Sequence, residues 1–565
     1  MSGPVELRNE IAAIFRESLE KTWGDDLPDD FLPEITVPGN RDFGDIACNA
    51  PLQLAGVLKK SPRAIASGML EHAPACLPGV DRVSVDGPGF VNMRLSTEYL
   101  ASYCFGLASG GLSGYLPDAG EGRTALVEYV SSNPTGPLTV GHCRQAVLGE
   151  AISRLLETVG WRVSREYYFN DGGRQMELLG RSLAVRYLGG PDSDIPEGGY
   201  RGGYVKEWAD ELKRLHGGDL RWESHGALFV SFARSKAMEM IRSDLSLLGI
   251  HFDRFFAESE LIPDRVEETI AGLESIKTGE GPLLYRDSLY PEKLWLRLTA
   301  LGRPADRVIK REDGSYTYRM PDIAYHLDKF DRGYDLLVDV FGADHIDTSA
   351  DVIAVLKELL GSREVDERLK VVIHQFVTLL RSGKRIKMST RAGEYVTLSR
   401  LVKEVGSADV TRYIFLTRKA EAHMDFDIDA ARMESSENPV YYVQYAHARI
   451  AGILRTAAEA GIGVPGEYDE TLAAMLDGKH ERELMRLLES VPVETALAAE
   501  SLEPHRITEM LAALSTGFHR FYQHVRVVDR DAPGPSSARL MLCAACKRCI
   551  ADLLGVLGVD APDRM

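Results

Sequence analysis

A strand–turn–helix–strand segment between residues 125 and 170 constrains the fold more than any other feature of the chain. Ala125 to Val130 is a short apolar run, which is typical of a buried strand. A turn rich in Ser, Pro and Gly follows at residues 131–141, and apolar residues then recur at helical spacing from Ala146 to Val159. Trp161 to Asn170 is the next strand candidate. The segment therefore predicts a βαβ unit, in which a helix connects two parallel strands.

The whole chain divides into three blocks. Residues 1–117 are expected to hold a helix at Val5–Lys21, helical pieces within Ala47–Leu70, and strands around a glycine turn within Arg82–Leu95. Residues 118–404 hold the βαβ unit, strands at Leu336–Phe341 and Val371–Leu380, and an insertion at about 180–281. Residues 405–565 show helical periodicity at Tyr441–Ala460, Glu481–Ala499 and Ile507–Val525, which predicts a helical bundle.

Composition narrows the class of protein. The net charge of −18 argues against general nucleic-acid binding, although a local basic surface stays possible. No apolar run reaches the roughly 18 residues that span a bilayer, and the N-terminus does not resemble a secretory signal, so we expect a cytoplasmic protein. Cys543, Cys546 and Cys549 recur at helical spacing among leucines, which favours buried thiols over a metal cluster.

Gly141 and His142 lie at the junction between the predicted turn and helix. A glycine lets the backbone approach a ligand closely, and the free N–H groups and dipole at the start of a helix favour phosphate. A capped turn with an incidental histidine is the alternative interpretation of this pair taken alone.

A basic loop spans Arg381 to Leu398. Lys384, Arg385, Lys387 and Arg391 lie in it, with glycines on either side. Mobile cations suit a polyphosphate whose charge shifts during a reaction. An ordinary solvated loop is the alternative.

Acidic groups accompany two further predicted elements. Tyr318 and Asp322 are four residues apart, and Pro321 is expected to start a helix that leaves Tyr318 on the preceding strand. Asp344 follows the strand predicted at Leu336–Phe341, and ligands of open α/β sheets bind at the carboxyl ends of strands. The alternatives are an acid that stabilises a helix dipole and an ordinary turn.

Together these stretches resemble the arginyl-tRNA synthetases, which are class I aminoacyl-tRNA synthetases. Residues 139–142 resemble the HIGH signature, and residues 387–391 resemble the KMSKS signature. Further similar stretches extend over nearly the whole chain, at Glu128–Asn133, Tyr168–Asp171, Tyr318–His326, Gly342–His345, Glu437–Arg449 and Gly558–Met565. The resemblance implies a multidomain α/β fold: a Rossmann-type parallel-sheet catalytic domain with an insertion, an α+β N-terminal domain and an all-α C-terminal bundle.

The resemblance also implies an arginine–tRNA ligase. Such an enzyme uses ATP with Mg²⁺ to form arginyl-adenylate from L-arginine, and then transfers the arginyl group to the 3′ end of tRNA(Arg). The catalytic residues would be His142, Thr139, Lys387 and Ser389. The ATP-binding residues would be Gly141, His142, Gly342, His345 and Lys387. The arginine-binding residues would be Glu128, Asn133, Tyr318, Asp322 and Asp344. No metal ligand from the protein is expected, because the ATP phosphates hold Mg²⁺.

For tRNA, the resemblance implies elbow contacts by residues 1–117, through Phe90 and Asn92, and anticodon contacts by residues 405–565. Tyr441 and Tyr445 are candidates for stacking on unpaired bases, although either could be a core residue. Glu128 likewise has an alternative interpretation, as a salt-bridge partner at a strand end. No membrane partner is expected, and the family resemblance implies a monomer.

Two signature positions differ from the family pattern. Thr139 replaces the first histidine of HIGH, and Thr390 replaces the second lysine of KMSKS. Some members with the latter change carry a lysine at the position that is Gly136 here. These differences motivate an alternative hypothesis, a catalytically weak tRNA-binding paralogue. The amino-acid pocket set, with Asp322, argues against it because a binding module needs no such pocket.

Overall fold

The computed structural model of the chain describes residues 2–386 and 396–565. It forms two compact units. The first comprises Met1–Pro117, Ser435–Ser501 and Arg506–Met565, and the second comprises Asp118–Glu434 with Leu502–His505. Among the described residues, no helix is both long enough and apolar enough to cross a membrane.

The first unit begins with an α+β segment. Its elements are α1 (Pro4–Trp23), β1 (Ile35–Thr36), β2 (Ile46–Cys48), α2 (Ala50–Leu58), α3 (Pro62–His72), β3 (Val80–Asp86), β4 (Phe90–Leu95) and α4 (Thr97–Gly110). The strands form an antiparallel sheet in the order β1-β2-β4-β3. The predicted first helix and the predicted strand pair are confirmed. Gly87 and Gly89 in the β3–β4 turn have φ angles of +58° and +143°, which only glycine adopts readily.

The elements of the second unit follow along the chain. They are β5 (Thr124–Glu128), α5 (Val140–Thr158), β6 (Arg162–Phe169), α6 (Gly173–Tyr187), α7 (Gly203–His216), α8 (Trp222–Ser246), β7 (Arg254–Ala257), α9 (Asp264–Glu274), β8 (Lys277–Thr278), β9 (Gly281–Pro282), β10 (Leu284–Asp287), β11 (Tyr290–Leu296), β12 (Arg307–Lys310), α10 (Arg319–Asp331), β13 (Leu336–Gly342), α11 (Ile346–Leu360), α12 (Ser362–Arg368), β14 (Leu369–His374), β15 (Val377–Arg381), β16 (Lys384–Arg385), α13 (Leu398–Val405), α14 (Ala408–Phe415), β17 (Met424–Asp427) and α15 (Ile428–Ala431).

A five-stranded parallel sheet organises the second unit, in the order β14-β13-β5-β6-β7. The predicted βαβ unit is confirmed as β5–α5–β6. Later strands are added on both sides of β5, so the strand order reverses there. In sheets of this kind, ligands bind in the crevice at the carboxyl ends of the strands where the order reverses.

The predicted insertion differs from the observed structure. Residues 254–257, within the predicted 180–281 range, form β7 at the edge of the main sheet. Helices α6, α7 and α8 share a separate apolar core that includes Leu179, Trp208 and Phe229. Strands β10, β11 and β12 form an antiparallel sheet of their own.

The single strand predicted at Val371–Leu380 is also wrong, because two strands occupy this range. Strand β14 belongs to the main sheet, whereas β15 belongs to a small sheet in the order β16-β15-β17. The chain leaves the main sheet at Gln375, whose N–H donates to the carbonyl of Ala420. Because β17 pairs in parallel with β15, the second unit continues to Glu434, past the predicted boundary at residue 404.

Five helices complete the first unit and confirm the predicted helical C-terminal block. They are α16 (Pro439–Glu459), α17 (Glu470–Ala473), α18 (Lys479–Glu500), α19 (His505–His524) and α20 (Pro533–Val556). The side chain of Asn438 accepts a hydrogen bond from the Val440 N–H at the start of α16, where the first N–H groups have no helical partner. Cys543, Cys546 and Cys549 on α20 are buried free thiols.

Candidate active site

The turn between β5 and α5 forms the floor of the crevice. Val130 and Ser131 have φ angles of +69° and +39°, which is a strained conformation for a β-branched residue such as valine. The Tyr167 hydroxyl donates to the Ser132 carbonyl at 2.9 Å. The Asn133 side-chain oxygen accepts from the Asn170 N–H at 3.1 Å. The turn is therefore fastened to β6 in a conformation that local preferences do not favour.

His142 lies in the first turn of α5, and its Nδ1 accepts a hydrogen bond from the Thr139 N–H at 3.2 Å. Because a backbone N–H can only donate, the neutral ring carries its proton on Nε2. Burial lowers the pKa of His142 to about 4, so the ring is neutral at physiological pH. His142 can thus offer a hydrogen bond through Nε2 but carries no positive charge.

Thr139 and Gly141 lie beside His142. The Thr139 hydroxyl is 3.5 Å from His142 Nδ1. A side chain added at Gly141 would have Thr139 Oγ1, at 3.8 Å, as its only close neighbour among the described residues, so the backbone here is open to a ligand. Thr139 also pairs with Thr397, which follows the basic loop. Lys387 and Ser389 of that loop lie outside the described residues.

The carboxyl end of β13 adds Gly342, Asp344 and His345. The side chains of Asp344 and His345 are mostly exposed, and His345 Nε2 lies 3.8 Å from Asp344 Oδ2. The negative charge of Asp344 opposes the fall in the pKa of His142. The predicted phosphate-facing and adenosine-facing residues thus meet at the ends of β5 and β13.

Asp322 lies in the first turn of α10, one turn after Tyr318. The helix begins at Arg319 and not at Pro321 as predicted, because a proline in the first turn gives up no helical hydrogen bond. Tyr318 consequently precedes the helix with 60% of its surface exposed. Asp322 itself is only partly exposed.

The carboxyl group of Asp322 has a pKa well above its usual value. Burial raises its pKa to about 7, and the carboxylates of Glu128 and Glu258 add to the effect, while His326 and Lys329 act in the opposite direction. Within residues 2–386 and 396–565, no hydrogen bond or ion pair of this carboxylate is found. A partly buried acid without a partner favours a cationic ligand, since a ligand cation would offset the cost of its ionisation.

Glu258 is a site residue that was not predicted from the sequence. It follows β7, and its carboxylate accepts hydrogen bonds from the Tyr168 hydroxyl at 2.8 Å and the Asn170 side-chain amide at 2.7 Å. Burial raises its pKa. It lies directly after a strand of only four residues, which is too short to show a period, so the sequence pattern gives no signal for it.

Glu128 lies beneath this pocket and is 2% exposed. One of its oxygens accepts from the Lys329 ammonium, and the other accepts from the Ser131 hydroxyl at 2.7 Å. Lys329 also donates to Asp339 at 2.6 Å. The alternative interpretation of Glu128, a salt bridge at a strand end, therefore describes its contacts, while a direct role toward arginine stays a prediction.

The predicted tRNA-binding residues differ in accessibility. Phe90 is 39% exposed, whereas Asn92 is 4% exposed and its amide donates to Asp86 at 3.0 Å. Tyr445 is 42% exposed and Tyr441 is half-buried.

Tyr445 lines an open groove of about 750 Å³ in the first unit. The Arg449 guanidinium lies over the ring of Tyr522 in this groove, 4.6 Å from its centroid, and Met565 contributes to the lining. Aromatic and guanidinium faces are surfaces on which an unpaired nucleobase can stack.

Comparisons with known proteins identify the family of three segments of the chain. The family described as arginyl tRNA synthetase N terminal domain matches residues 9–95. The family described as tRNA synthetases class I (R), catalytic domain, matches residues 108–187. The family described as DALR anticodon binding domain matches residues 443–565.

Curated relatives match over nearly their whole length. The arginine–tRNA ligase of Salinibacter ruber is 40% identical over 96% of this chain and 97% of its own. That of Thermotoga maritima is 38% identical over 99% of this chain and 100% of its own. The solved arginyl-tRNA synthetase of Thermus thermophilus shares the fold, with a TM-score of 0.76 at 21% identity, covering 99% of this chain and 100% of its own. The chain belongs to the arginyl-tRNA synthetases, ligases of the class I aminoacyl-tRNA synthetase family.

Proposed function

We propose that this chain activates L-arginine with ATP and transfers it to the 3′ end of tRNA(Arg). The observation that carries the proposal is the Asp322 carboxylate at the crevice of the parallel sheet, which is partly buried and has no hydrogen-bond or ion-pair partner among the described residues. A guanidinium is the cation that best matches such a group, because its planar fork of donors pairs with carboxylates in a way that a lysine ammonium cannot reproduce.

In the arginine pocket, Asp322 accepts the guanidinium, and Glu258 adds a second carboxylate that is held by Tyr168 and Asn170. Tyr318 covers the exposed side. Asn133 and Glu128 serve the α-ammonium and carboxylate end, with Glu128 acting from below through its ion pair with Lys329. Asp344 completes the pocket.

ATP lies across the ends of β5 and β13, with Gly342 and His345 along the adenosine and Gly141 at the start of α5 beside the phosphates. The arginine carboxylate attacks the α-phosphate and pyrophosphate leaves. His142 stabilises the developing charge by donating from Nε2, with Thr139 assisting, and the loop residues Lys387 and Ser389 supply the remaining donors. Mg²⁺ arrives with ATP, whose phosphates hold it.

For tRNA, we assign the elbow to residues 1–117, through the exposed Phe90, with Asn92 supporting the β3–β4 turn through Asp86. We assign catalysis to the second unit, which continues to Glu434, and the anticodon to the helices α16 to α20. Tyr445 and the groove beside it receive an unpaired base, and Tyr441 contributes from the same helix. The protein acts as a monomer.

Gly136 occupies the position at which some family members carry a lysine that compensates for the change at Thr390. A side chain at this position would lie 2.7 Å from the Tyr204 hydroxyl, which itself donates to the Thr135 carbonyl at 2.9 Å. A lysine here would have to displace Tyr204, so the missing cation is supplied elsewhere, and Arg391 or Lys384 of the basic loop is the candidate.

Arginine-dependent pyrophosphate exchange, measured with and without tRNA, tests the proposal. An active ligase gives exchange in at least one condition, and members of this family typically need tRNA for it. Absence of exchange in both conditions, together with retained tRNA binding, would favour the non-catalytic paralogue.

A further inference from the structure

His374 ends β14, directly beside Gly342 at the end of β13 in the parallel ladder. Its side chain is 5% exposed. Nδ1 lies 3.3 Å from the Gln375 carbonyl oxygen, which can only accept, so Nδ1 carries a proton and donates. In the neutral ring Nε2 then holds a lone pair. Within the described part of the chain, buried Nε2 has no hydrogen-bond partner.

The surroundings hold this ring in place. The buried guanidinium of Arg144 donates to the Gln375 carbonyl at 2.6 Å and to the Ala422 carbonyl at 3.1 Å, which fixes the segment that follows His374. Burial lowers the pKa of His374 to about 4, and Arg144 acts in the same direction. The ring is therefore a neutral acceptor at physiological pH.

Gly342 keeps the space in front of Nε2 open. A side chain at position 342 would lie 3.8 Å from His374 Nε2 and 2.5 Å from Asp344 Oδ1. The backbone of Gly342 has a φ of −70°, which any residue can adopt, so glycine is not needed for conformation here. Asp344 and His142 both act electrostatically on His374, which places the ring at the same crevice as the proposed ATP site.

A buried acceptor without a partner costs stability unless a ligand supplies a donor. Phosphate oxygens cannot supply one, whereas adenosine offers its ribose hydroxyls and its exocyclic amine. We propose that His374 is an ATP-binding residue whose Nε2 accepts a hydrogen bond from one of these adenosine donors. This inference rests on the proposed function, because it takes ATP as the nucleotide in the crevice.

The test compares His374→Leu, which removes the acceptor, with His374→Gln, which keeps a side-chain acceptor, and with His216→Leu as a control at the exposed end of α7. ATP binding is measured by calorimetry, and the KM values for ATP and arginine by pyrophosphate exchange. The loss of one neutral hydrogen bond should weaken ATP binding by about three- to tenfold in His374→Leu and leave the arginine KM unchanged. His374→Gln should recover part of the loss.

ATP analogues identify the donor. The 2′-deoxy, 3′-deoxy and 6-desamino forms of ATP each lack one donor. The wild-type protein should bind at least one analogue more weakly than ATP, by the same factor by which His374→Leu weakens the binding of ATP. The His374→Leu protein should bind that analogue and ATP with equal affinity. Unchanged ATP affinity in His374→Leu, or equal penalties for every analogue in both proteins, would overturn the proposal.

A structural role and a failure of the proposed function give different outcomes. Unfolding in urea shows whether His374→Leu weakens the fold, but a purely structural defect would not abolish discrimination against one analogue alone. If the wild-type protein binds ATP without exchanging pyrophosphate, the proposed function fails while the calorimetric comparison still decides the role of His374.

Discussion

The ionisation of Asp322 should control arginine binding between pH 6 and pH 8. Burial raises the pKa of this carboxyl to about 7, so roughly a tenth of it is ionised at pH 6 and roughly nine tenths at pH 8. Only the ionised form pairs with the cationic guanidinium. Arginine affinity should therefore rise about tenfold between these pH values.

Calorimetric titration of the protein with arginine across this pH range measures the effect. Citrulline, a neutral analogue of nearly the same shape, is the matched ligand, and its affinity should not rise with pH. Asp322→Asn should bind arginine weakly and without the pH dependence. A wild-type arginine affinity that is constant from pH 6 to pH 8, or a pH dependence that persists in Asp322→Asn, would refute the reasoning.

Asp322→Asn should stabilise the folded protein, although it should weaken arginine binding. The pKa of Asp322 in the folded protein lies above its usual 3.8, so folding favours the protonated carboxyl group. The stability that this protonation contributes is complete below pH 3.8 and is lost as the pH rises through about 7. Asp322→Asn removes that loss, so at pH 8 it should raise the free energy of unfolding by at most about 4 kcal/mol. Urea denaturation at pH 5 and pH 8 checks the sign, since the gain should be larger at pH 8.

Three further predictions concern His142, Lys329 and Tyr445. His142→Ala should lower kcat by about 10²–10³-fold at saturating arginine. Because burial lowers the pKa of His142 to about 4, protonation of His142 should not reduce kcat between pH 6 and pH 8. A fall in kcat toward pH 6 that depends on His142, measured by pyrophosphate exchange, would contradict its neutral role. Lys329→Met leaves the buried carboxylates of Glu128 and Asp339 without their cation, so urea denaturation should show that the free energy of unfolding falls by about 3–5 kcal/mol. The control Lys277→Met, at an exposed lysine, should change it little. Equal losses in the two variants would refute the ion-pair argument. Tyr445→Ala should weaken tRNA binding on filters by about 1–3 kcal/mol, and unchanged binding would remove this residue from the tRNA interface.

The parts of the fold that the sequence predicted are those set by local patterns. The β5–α5–β6 unit follows from apolar periodicity and from turn residues within one short stretch. The errors occur where local signals compete. Pro321 suggested a helix start, but a proline is tolerated within the first helical turn. Strand β7 has four residues, too few to show a period, so it was included in the insertion.

The residues of the candidate site could be predicted from the sequence only where they lie in family signatures. These signatures identified His142, Gly342 and Asp322 because each lies in a recognisable stretch. Glu258 and His374 lie in no such stretch, and they join the site only because parallel pairing aligns the ends of β7 and β14 with the crevice. Pairing between strands that are distant in sequence is not visible in a single chain, so such residues emerge only from the structure.

Charging of tRNA(Arg) with each of the twenty amino acids in turn, by the wild-type protein and by Asp322→Asn, tests the central claim most directly. We predict charged tRNA with arginine alone, and its loss in the variant. Charging with lysine or another amino acid, failure to charge with arginine, or undiminished arginine charging by Asp322→Asn would contradict the assignment of this crevice as an arginine-activating site.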